Sequence, residues 1–562
     1  MILGMYLDAP VPPVLNIPGA GVYGATVAKS EFLKAILTHG AFKEYHFFVS
    51  SAQIQEVEKN IHGIVANISD IESKIKVKLL KTLPTAFAQN EPLVFHNLHP
   101  ILHKLSYLRN RFSKKAFVIT GLVHSISYAT MIPQFFLSML EGTLPCDSIV
   151  CPSQAAQQVL KKLLDAISET SRRQYNVNIS YNGRLDVIPF GIDTDRFCPR
   201  DKIDARRQME FPLDKLLLLS VARFSVCDKM DLFPLLTSFK EVLNQVDDPI
   251  ALVLAGEDTR YGYSEKVKQF AKNLGILNQI IFLTNFDSTL KPLLYSSADI
   301  FVSISDSIQE SFGLAIIEAM ASSLPVIASD WNGYRDAVVP SKTGFLVPTY
   351  WCPCDEEISS LAPFSSWEID HLYLGQSVSV ESRKLTEYML QLVRNKTLRY
   401  EMGSSARQRV LEHYAWKKVI RRYEALCVEL DQQARKMPPF TKQSDSLFCP
   451  SYYNIFQHYA TATVRDDARL RVTSYGQHAF KTRSDVGLYD EMKELINLEI
   501  VGFILSLLSK IKNGLQVQEL FRILQKQYGM KNQNPLKYHI LWMLKHNLLE
   551  FSDSDREDIK DA

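Results

Sequence analysis

The stretch DSIQESFGLAIIEAMASSLPVIASD, residues 306–330, sets two glutamates, Glu310 and Glu318, around the start of a helix. The apolar run Ile300–Ile304 before it reads as a strand ending near Ser303. A polar turn follows, and a helical pattern opens near Phe312 and covers Leu314–Ala321. A helix N-terminus presents unpaired backbone N–H groups and partial positive charge, which suits a phosphate. Gly313 permits a ligand to approach the backbone closely. Glu310 precedes the helix, where its carboxylate can accept hydrogen bonds from hydroxyls. Glu318 lies about two turns on and leans back toward the helix start. Together they suit a polyhydroxylated, phosphorylated ligand. Spacing alone is met more simply by an amphipathic helix with one capping and one exposed glutamate.

Working outward, apolar runs alternate with helical patterns through the first four hundred or so residues. Strands are expected at Tyr45–Val49, Leu93–Phe95, Phe117–Thr120, Ser148–Val150, Leu216–Ala222, Ala251–Ala255, Ile280–Leu283, Ile300–Ile304 and Pro325–Ala328. Helices are expected between them, as at Ala155–Leu164, Leu232–Leu243 and Glu265–Leu274. Continuous apolar strands separated by amphipathic helices imply parallel sheets covered on both faces. Ligands of such sheets sit beyond the C-terminal strand ends, so functional residues belong in the loops that follow strands. Two sheets are implied, with Leu185–Phe197 (LDVIPFGIDTDRF) ending the first series and Leu216 opening the second. Residues 432–450 lose periodicity and carry adjacent prolines, which marks a further boundary. Beyond it the chain reads as mostly helical to about Phe551.

The 562 residues suit about three domains. A net charge of +2 gives no global pull toward nucleic acid or membrane. Eight scattered cysteines, of which only Cys352 and Cys354 lie close, read as reduced thiols in a cytoplasmic protein rather than a zinc site. No signal peptide pattern or membrane-length apolar run is evident.

The string ESFGLAIIEAMASSLPVIASD resembles the signature of glycosyltransferase family 4, with its two glutamates separated by seven residues. The resemblance implies a GT-B fold: two Rossmann-like α/β domains facing a cleft, here 1–185 on the acceptor side and 186–432 binding the nucleotide sugar. A helical, winged-helix-like extension at 450–552 follows. Glu310 would contact sugar hydroxyls and Glu318 ribose hydroxyls, while the amides of Phe312, Gly313 and Leu314 would meet sugar and diphosphate. Ser323 stands where the family usually has glycine, a change expected to affect only the turn.

Other motifs fall in family order. In LLLSVARFSVCDK, residues 217–229, Arg223 and Lys229 follow a strand. Two cations there can neutralise a leaving diphosphate, although an ordinary solvated loop is also basic. The family has glycine after the lysine, where this chain has Met230. His124 follows the strand of VITGLVHSIS and matches a family histidine beside the donor sugar, as a positioning residue. A lone histidine is more often a packing residue. The glycine-bearing turn NIPGAGVYGATVAKSEFLKAIL resembles the loop that approaches sugar and diphosphate, with Gly19 and Gly21 the matching residues. Asp193 and Asp195 mimic an Asp-x-Asp metal motif, but their surroundings match a GT-B segment, so Asp193 is expected to brace a turn. Ser153 is expected to cap the helix after Ser148–Val150.

The resemblance thus implies a retaining transferase that needs no metal or cofactor and takes a nucleotide-diphosphate sugar, UDP-linked rather than GDP-linked, as co-substrate. The acceptor would be a carbohydrate, a lipid-linked group or a protein. Covalent retention would need a carboxylate nucleophile. None stands out, and the resemblance implies front-face substitution. Alternatives are an inactive GT-B scaffold subunit and a GT-B sugar-nucleotide epimerase. The basic stretch HKLSYLRNRFSKK, residues 103–115, is a candidate face for peripheral contact with the inner membrane surface. Residues 350–380 exceed the family core and read as a surface excursion, with a lid as the alternative. The C-terminal extension is a candidate for homo-oligomerisation; nucleic-acid binding is not expected.

Overall fold

The computed structural model describes residues 1–7, 24–50, 53–66, 68, 70–89, 93–440, 451–489, 492–493, 495–529 and 534–552. The chain divides into two compact units, one holding residues 1–49 and 53–444, the other residues 50–52 and 445–562.

The larger unit contains two parallel sheets. The first has seven strands: β1 (Ile2–Tyr6), β2 (Glu44–Val49), β3 (Ile75–Leu79), β4 (Leu93–Asn97), β5 (Val118–Leu122), β6 (Ser148–Cys151) and β7 (Arg184–Val187), ordered β3-β2-β1-β4-β5-β6-β7. The second has six: β8 (Leu216–Val221), β9 (Ile250–Gly256), β10 (Ile280–Thr284), β11 (Ile300–Ser303), β12 (Val326–Ser329) and β13 (Gly344–Val347), ordered β10-β9-β8-β11-β12-β13. Each order reverses once, between β1 and β4 and between β8 and β11. These two-sheet halves form the expected α/β GT-B architecture. Leu217 and Leu219 pack into one hydrophobic cluster and Leu218 between them into another, so β8 is covered on both faces. That explains its unbroken apolar sequence.

Three strands have weaker sequence signals. β1 is short and contains Gly4. β3, IKVKL, alternates with lysines, as an edge strand protected from further pairing does. β13 has four residues. The helix Trp416–Lys436 crosses back to the first half, where Tyr423 meets Phe32 with ring centroids 5.0 Å apart.

The basic stretch 103–115 forms the helix His103–Phe112, in which Arg109 is fully buried. Its Nη2 donates to Asp147 Oδ2 at 2.8 Å, and its Nη1 to the Phe117 carbonyl at 2.9 Å. Arg109 therefore ties helix to sheet and is no part of a lipid-facing surface. Among the described residues, no helix is long and apolar enough to cross a membrane.

The C-terminal unit is mostly helical, with helices Leu498–Leu508, Val517–Tyr528 and Asn534–Lys545 around their own core. It also contains an antiparallel sheet that the sequence reading lacked: β16 (Arg469–Val472) between β17 (Leu515–Gln516) and β18 (Leu549–Phe551). These strands have two to four residues, too few to show alternation. The remaining pair, β14 (Thr349–Tyr350) and β15 (Ser379–Val380), closes the base of the 350–380 insertion in the larger unit.

Candidate active site

β8 and β11 are direct neighbours, with Leu218 opposite Ile300 and Leu219 opposite Phe301. Their following loops leave the same sheet end where the strand order reverses, the usual place for a ligand crevice. Lys229, from the loop after β8, puts Nζ 3.3 Å from Oε2 of Glu310, in the loop after β11. Ser305 Oγ donates to the Lys229 carbonyl at 2.9 Å and ties the two loops together. Arg223 is ion-paired through Nη2 with Asp228 Oδ2 at 2.9 Å. The lysine and glutamate side chains are 25% and 14% exposed, so both remain reachable.

Glu310 Oε1 also accepts the Phe312 N–H at 3.3 Å, which folds the carboxylate over the helix start. The helix Leu314–Ala321 is capped by Gly313 at φ +100°. A Cβ at Gly313 would stand 2.5 Å from Cε1 of Tyr334, so glycine is required by backbone conformation and by space. Tyr334 is fixed from the other side by a 2.9 Å hydrogen bond between its hydroxyl and Ser303 Oγ. The helix thus opens with a bare backbone beside Glu310. Glu318 is nearly buried; Tyr295 Oη donates to its Oε2 at 2.7 Å, and Lys291 Nζ lies 3.6 Å from Oε1. Burial, with the Glu318 charge adding to it, pushes the Tyr295 phenol far above its ordinary pKa, so it stays a donor.

The first half grips the same segment. Ser153 Oγ accepts the Ala156 N–H at 3.1 Å as the helix cap and donates to the Ser311 carbonyl at 2.7 Å. Ser311 Oγ donates to the His124 carbonyl at 2.6 Å, and Gln309 Nε2 donates to Tyr128 Oη at 2.5 Å. The His124 ring stacks on Phe190 at 5.3 Å. Burial, with the Lys29 charge adding to it, pushes its pKa down to about 3. It is a neutral imidazole, and its ring nitrogens make no well-formed hydrogen bond among the described residues. Buried polar atoms in that state are places where a ligand hydroxyl can bind. Gly19 and Gly21 lie outside the described residues.

The insertion is more ordered than a surface excursion. Its helix Trp367–Gln376 buries His371, whose Nε2 is 3.3 Å from the Ser127 carbonyl. Gln376 Nε2 donates to Asp231 Oδ2 at 3.0 Å, and Glu368 pairs with Arg260 at 2.5 Å. One insertion helix therefore contacts the loop after β5 in the first half and the loops after β8 and β9 in the second.

Three smaller expectations have outcomes. Asp193 Oδ1 accepts the N–H groups of Asp195 and Arg196 at 3.1 and 2.9 Å, so it braces its turn. Met230 fills a hydrophobic cluster. Ser323 adopts φ +62°, the conformation for which glycine is favoured. Among the described residues, no group of three or more His, Cys, Asp or Glu side chains forms a metal-holding cluster. The sequence reading missed Tyr295, Lys291 and Tyr128. Lys291 and Tyr295 share a face of the helix Lys291–Ser297 at i, i+4 spacing, but their target, Glu318, is set by tertiary packing.

Two parallel α/β sheets in one compact unit, each reversing its strand order once, are the arrangement of a GT-B fold. Residues 201–359 match the family model described as Glycosyl transferases group 1. The chain is 28% identical over 233 residues to D-inositol 3-phosphate glycosyltransferase 2 of Catenulispora acidiphila, covering 40% of this chain and 53% of that one. It is 29% identical over 227 residues to alpha-monoglucosyldiacylglycerol synthase of Streptococcus pneumoniae, covering 39% and 46%. The chain thus spans about half the length of these curated relatives. Among solved structures, sucrose-phosphate synthase of Thermosynechococcus elongatus aligns at 17% identity and a TM-score of 0.49, covering 77% of this chain and 99% of that one.

Proposed function

We propose that this protein is a retaining glycosyltransferase that moves a sugar from a nucleotide-diphosphate sugar, UDP-linked in preference to GDP-linked, to an acceptor hydroxyl. The observation that carries the reading is the meeting of Lys229 and Glu310 at the start of the helix Leu314–Ala321, with Arg223 on the same loop as Lys229. Cations and amide dipoles at one end of a crevice suit a diphosphate. Carboxylates beside them suit sugar and ribose hydroxyls. The partial likeness to relatives named for transfer to inositol phosphate and for glucosyldiacylglycerol synthesis supports the reaction class.

In this mechanism the acceptor oxygen bonds to the anomeric carbon on the face from which the diphosphate departs. The carbon–oxygen bond to phosphate breaks, and the acceptor proton passes to the leaving phosphate oxygen. Arg223, Lys229 and the N–H groups of Gly313 and Leu314 stabilise the charge that develops there. Glu310 orients the sugar through its hydroxyls, and Glu318, held by Tyr295 and Lys291, binds the ribose. Neutral His124 hydrogen-bonds the sugar without serving as the base. Catalysis then rests on orientation and fixed charge, with no metal or cofactor assigned a step.

The acceptor class is a carbohydrate, a lipid-linked group or a protein. Vesicles containing diacylglycerol and anionic lipid, free sugars and inositol phosphate make the first acceptor panel. Nucleotide diphosphate release from UDP-sugars is the first assay. Release that is absent with every donor and acceptor, while the protein remains folded, overturns the reading in favour of a binding subunit.

A further inference from the structure

We propose that a separate cavity in the larger unit binds a phosphorylated small molecule. It has a volume of about 580 Å³ and draws its lining from both halves: Gln154 and Gln158 from the first, Arg335, Arg409, His413 and Arg422 from the second. Arg223, Lys229, His124, Glu310 and Glu318 do not line it. The site is therefore distinct from the donor cleft, and it does not depend on the donor reading.

Charge selects the ligand. Three guanidinium groups line the cavity; Arg335 is ion-paired with Asp330, and the one lining carboxylate, Asp336, already accepts the Gln154 N–H at 2.6 Å, which leaves the lining net positive. The arginines are held in place by backbone carbonyls of the cavity wall and by Asp330. Arg409 donates from Nε to the Ala337 carbonyl at 2.9 Å and from Nη2 to the Asp336 carbonyl at 2.7 Å. Arg422 donates from Nη2 to the Val187 carbonyl at 2.8 Å. Arg335 donates from Nε to Asp330 Oδ1 at 2.6 Å and from Nη2 to the Asp330 carbonyl at 2.9 Å. Each guanidinium has five N–H donors, so each keeps unused donors after these bonds. Anchored guanidiniums with spare donors match the oxygens of a phosphate, which they bind bidentately with little loss of side-chain entropy.

Size selects further. A volume of this order is that of a small-molecule site rather than a lone ion. The two glutamine amides and His413 supply polar contacts for a carrier with hydroxyls. Because both halves contribute, occupancy favours the arrangement in which they meet through Gln154 and Asp336.

Calorimetry on the full chain tests this, with glucose 6-phosphate and inorganic pyrophosphate as probes and unphosphorylated glucose as control. The protein carries Arg223→Ala and Lys229→Ala, which remove the donor-cleft cations. The expected result is binding of both phosphorylated probes, no binding of glucose, and at least ~10-fold weaker binding when Arg422→Gln or Arg335→Gln is added. The two arginines lie on different helices, and Arg335 is largely exposed, so a folding defect in one variant leaves the other informative. Three outcomes overturn the proposal: no probe binding at millimolar concentration, binding indifferent to both arginine variants, or glucose binding as tightly as its phosphate. Failure of UDP-sugar binding leaves this result untouched, so the two readings fail separately.

Discussion

Lys229 and Glu310, 81 residues apart in sequence, stand 3.3 Å apart where the second sheet reverses its strand order. In the proposed mechanism a cation for phosphate and an acceptor for hydroxyls would share one ligand space there. The pair is part-exposed, so its contribution to folding is small, on the order of 0–1 kcal/mol. The role proposed for it is in binding and reaction. Arg223→Ala, Lys229→Ala and Glu310→Ala should each lower transfer at least ~100-fold, the scale for losing one charge-stabilising donor. Urea unfolding of Lys229→Ala and Glu310→Ala should stay within about 1 kcal/mol of the parent, whereas Arg223→Ala leaves the buried Asp228 carboxylate without its ion-pair partner and should cost about 3–5 kcal/mol. Initial rates and denaturation curves on the same preparations check both.

His124 gives a pH prediction. Its pKa is pushed down to about 3 from the ordinary histidine value, so the folded state refuses a proton that the unfolded chain accepts. The stability contributed by the neutral ring is complete above about pH 6.5 and falls as pH drops toward 3. His96 is buried with the same shift and adds to this acid sensitivity. His124→Gln should flatten the loss of stability between pH 6 and 4, leaving the His96 part. It should also slow transfer on the order of 10–100-fold through misplacement of the sugar. An unchanged acid limb in thermal melts would remove His124 from the explanation.

Asp306 titrates in the opposite sense. Burial pushes its carboxyl up to about 7, opposed by the Asp231 N–H it accepts at 3.2 Å and reinforced by the Asp231 charge. The group is protonated in the fold and ionised in the unfolded chain between about pH 4 and 7. Its contribution is therefore present at low pH and lost as pH rises through 7. Asp306→Asn keeps an oxygen for the Asp231 N–H and removes the buried charge. It should raise the melting temperature at pH 8.5 by about 2–4 °C per kcal/mol recovered, with a smaller gain at pH 5 and the least below pH 4. Equal gains at both pH values would show that charge is not the cause.

Ser323 sits at φ +62° after the helix that carries Glu318. A side chain in that conformation costs on the order of 1–2 kcal/mol, partly offset by the greater freedom of glycine when unfolded. Ser323→Gly should stabilise the protein by about 0.5–1 kcal/mol and leave turnover unchanged. Chemical denaturation measures the first and initial rates the second.

Much of the second half was legible because β8, β9 and β11 are covered on both faces and read as unbroken apolar runs. The helix Leu314–Ala321 was read with its observed bounds, since glycine before it and the polar turn punctuate it. The first half was less clear, because β1 and β3 are short or lysine-bearing and lack that signal. The insertion misled for a different reason. Trp367 and His371 look like surface aromatics until Tyr128, from a loop some 240 residues earlier, supplies the packing partner at 5.7 and 5.5 Å. Likewise, spacing could suggest Glu310 and Glu318, but their partners come from two other places in the chain: Lys229 from the loop after β8, and Lys291 and Tyr295 from the helix Lys291–Ser297.

The most direct measurement is thermal stabilisation and nucleotide diphosphate release with a panel of UDP- and GDP-sugars, comparing the parent protein with Glu310→Ala and Lys229→Ala. The expected result is that at least one UDP-sugar raises the melting temperature of the parent and yields UDP. Both effects should fall sharply in each variant, since a bound ligand stabilises by mass action. Stabilisation and release that are the same in all three proteins, or absent from the folded parent with every donor, would refute the donor cleft.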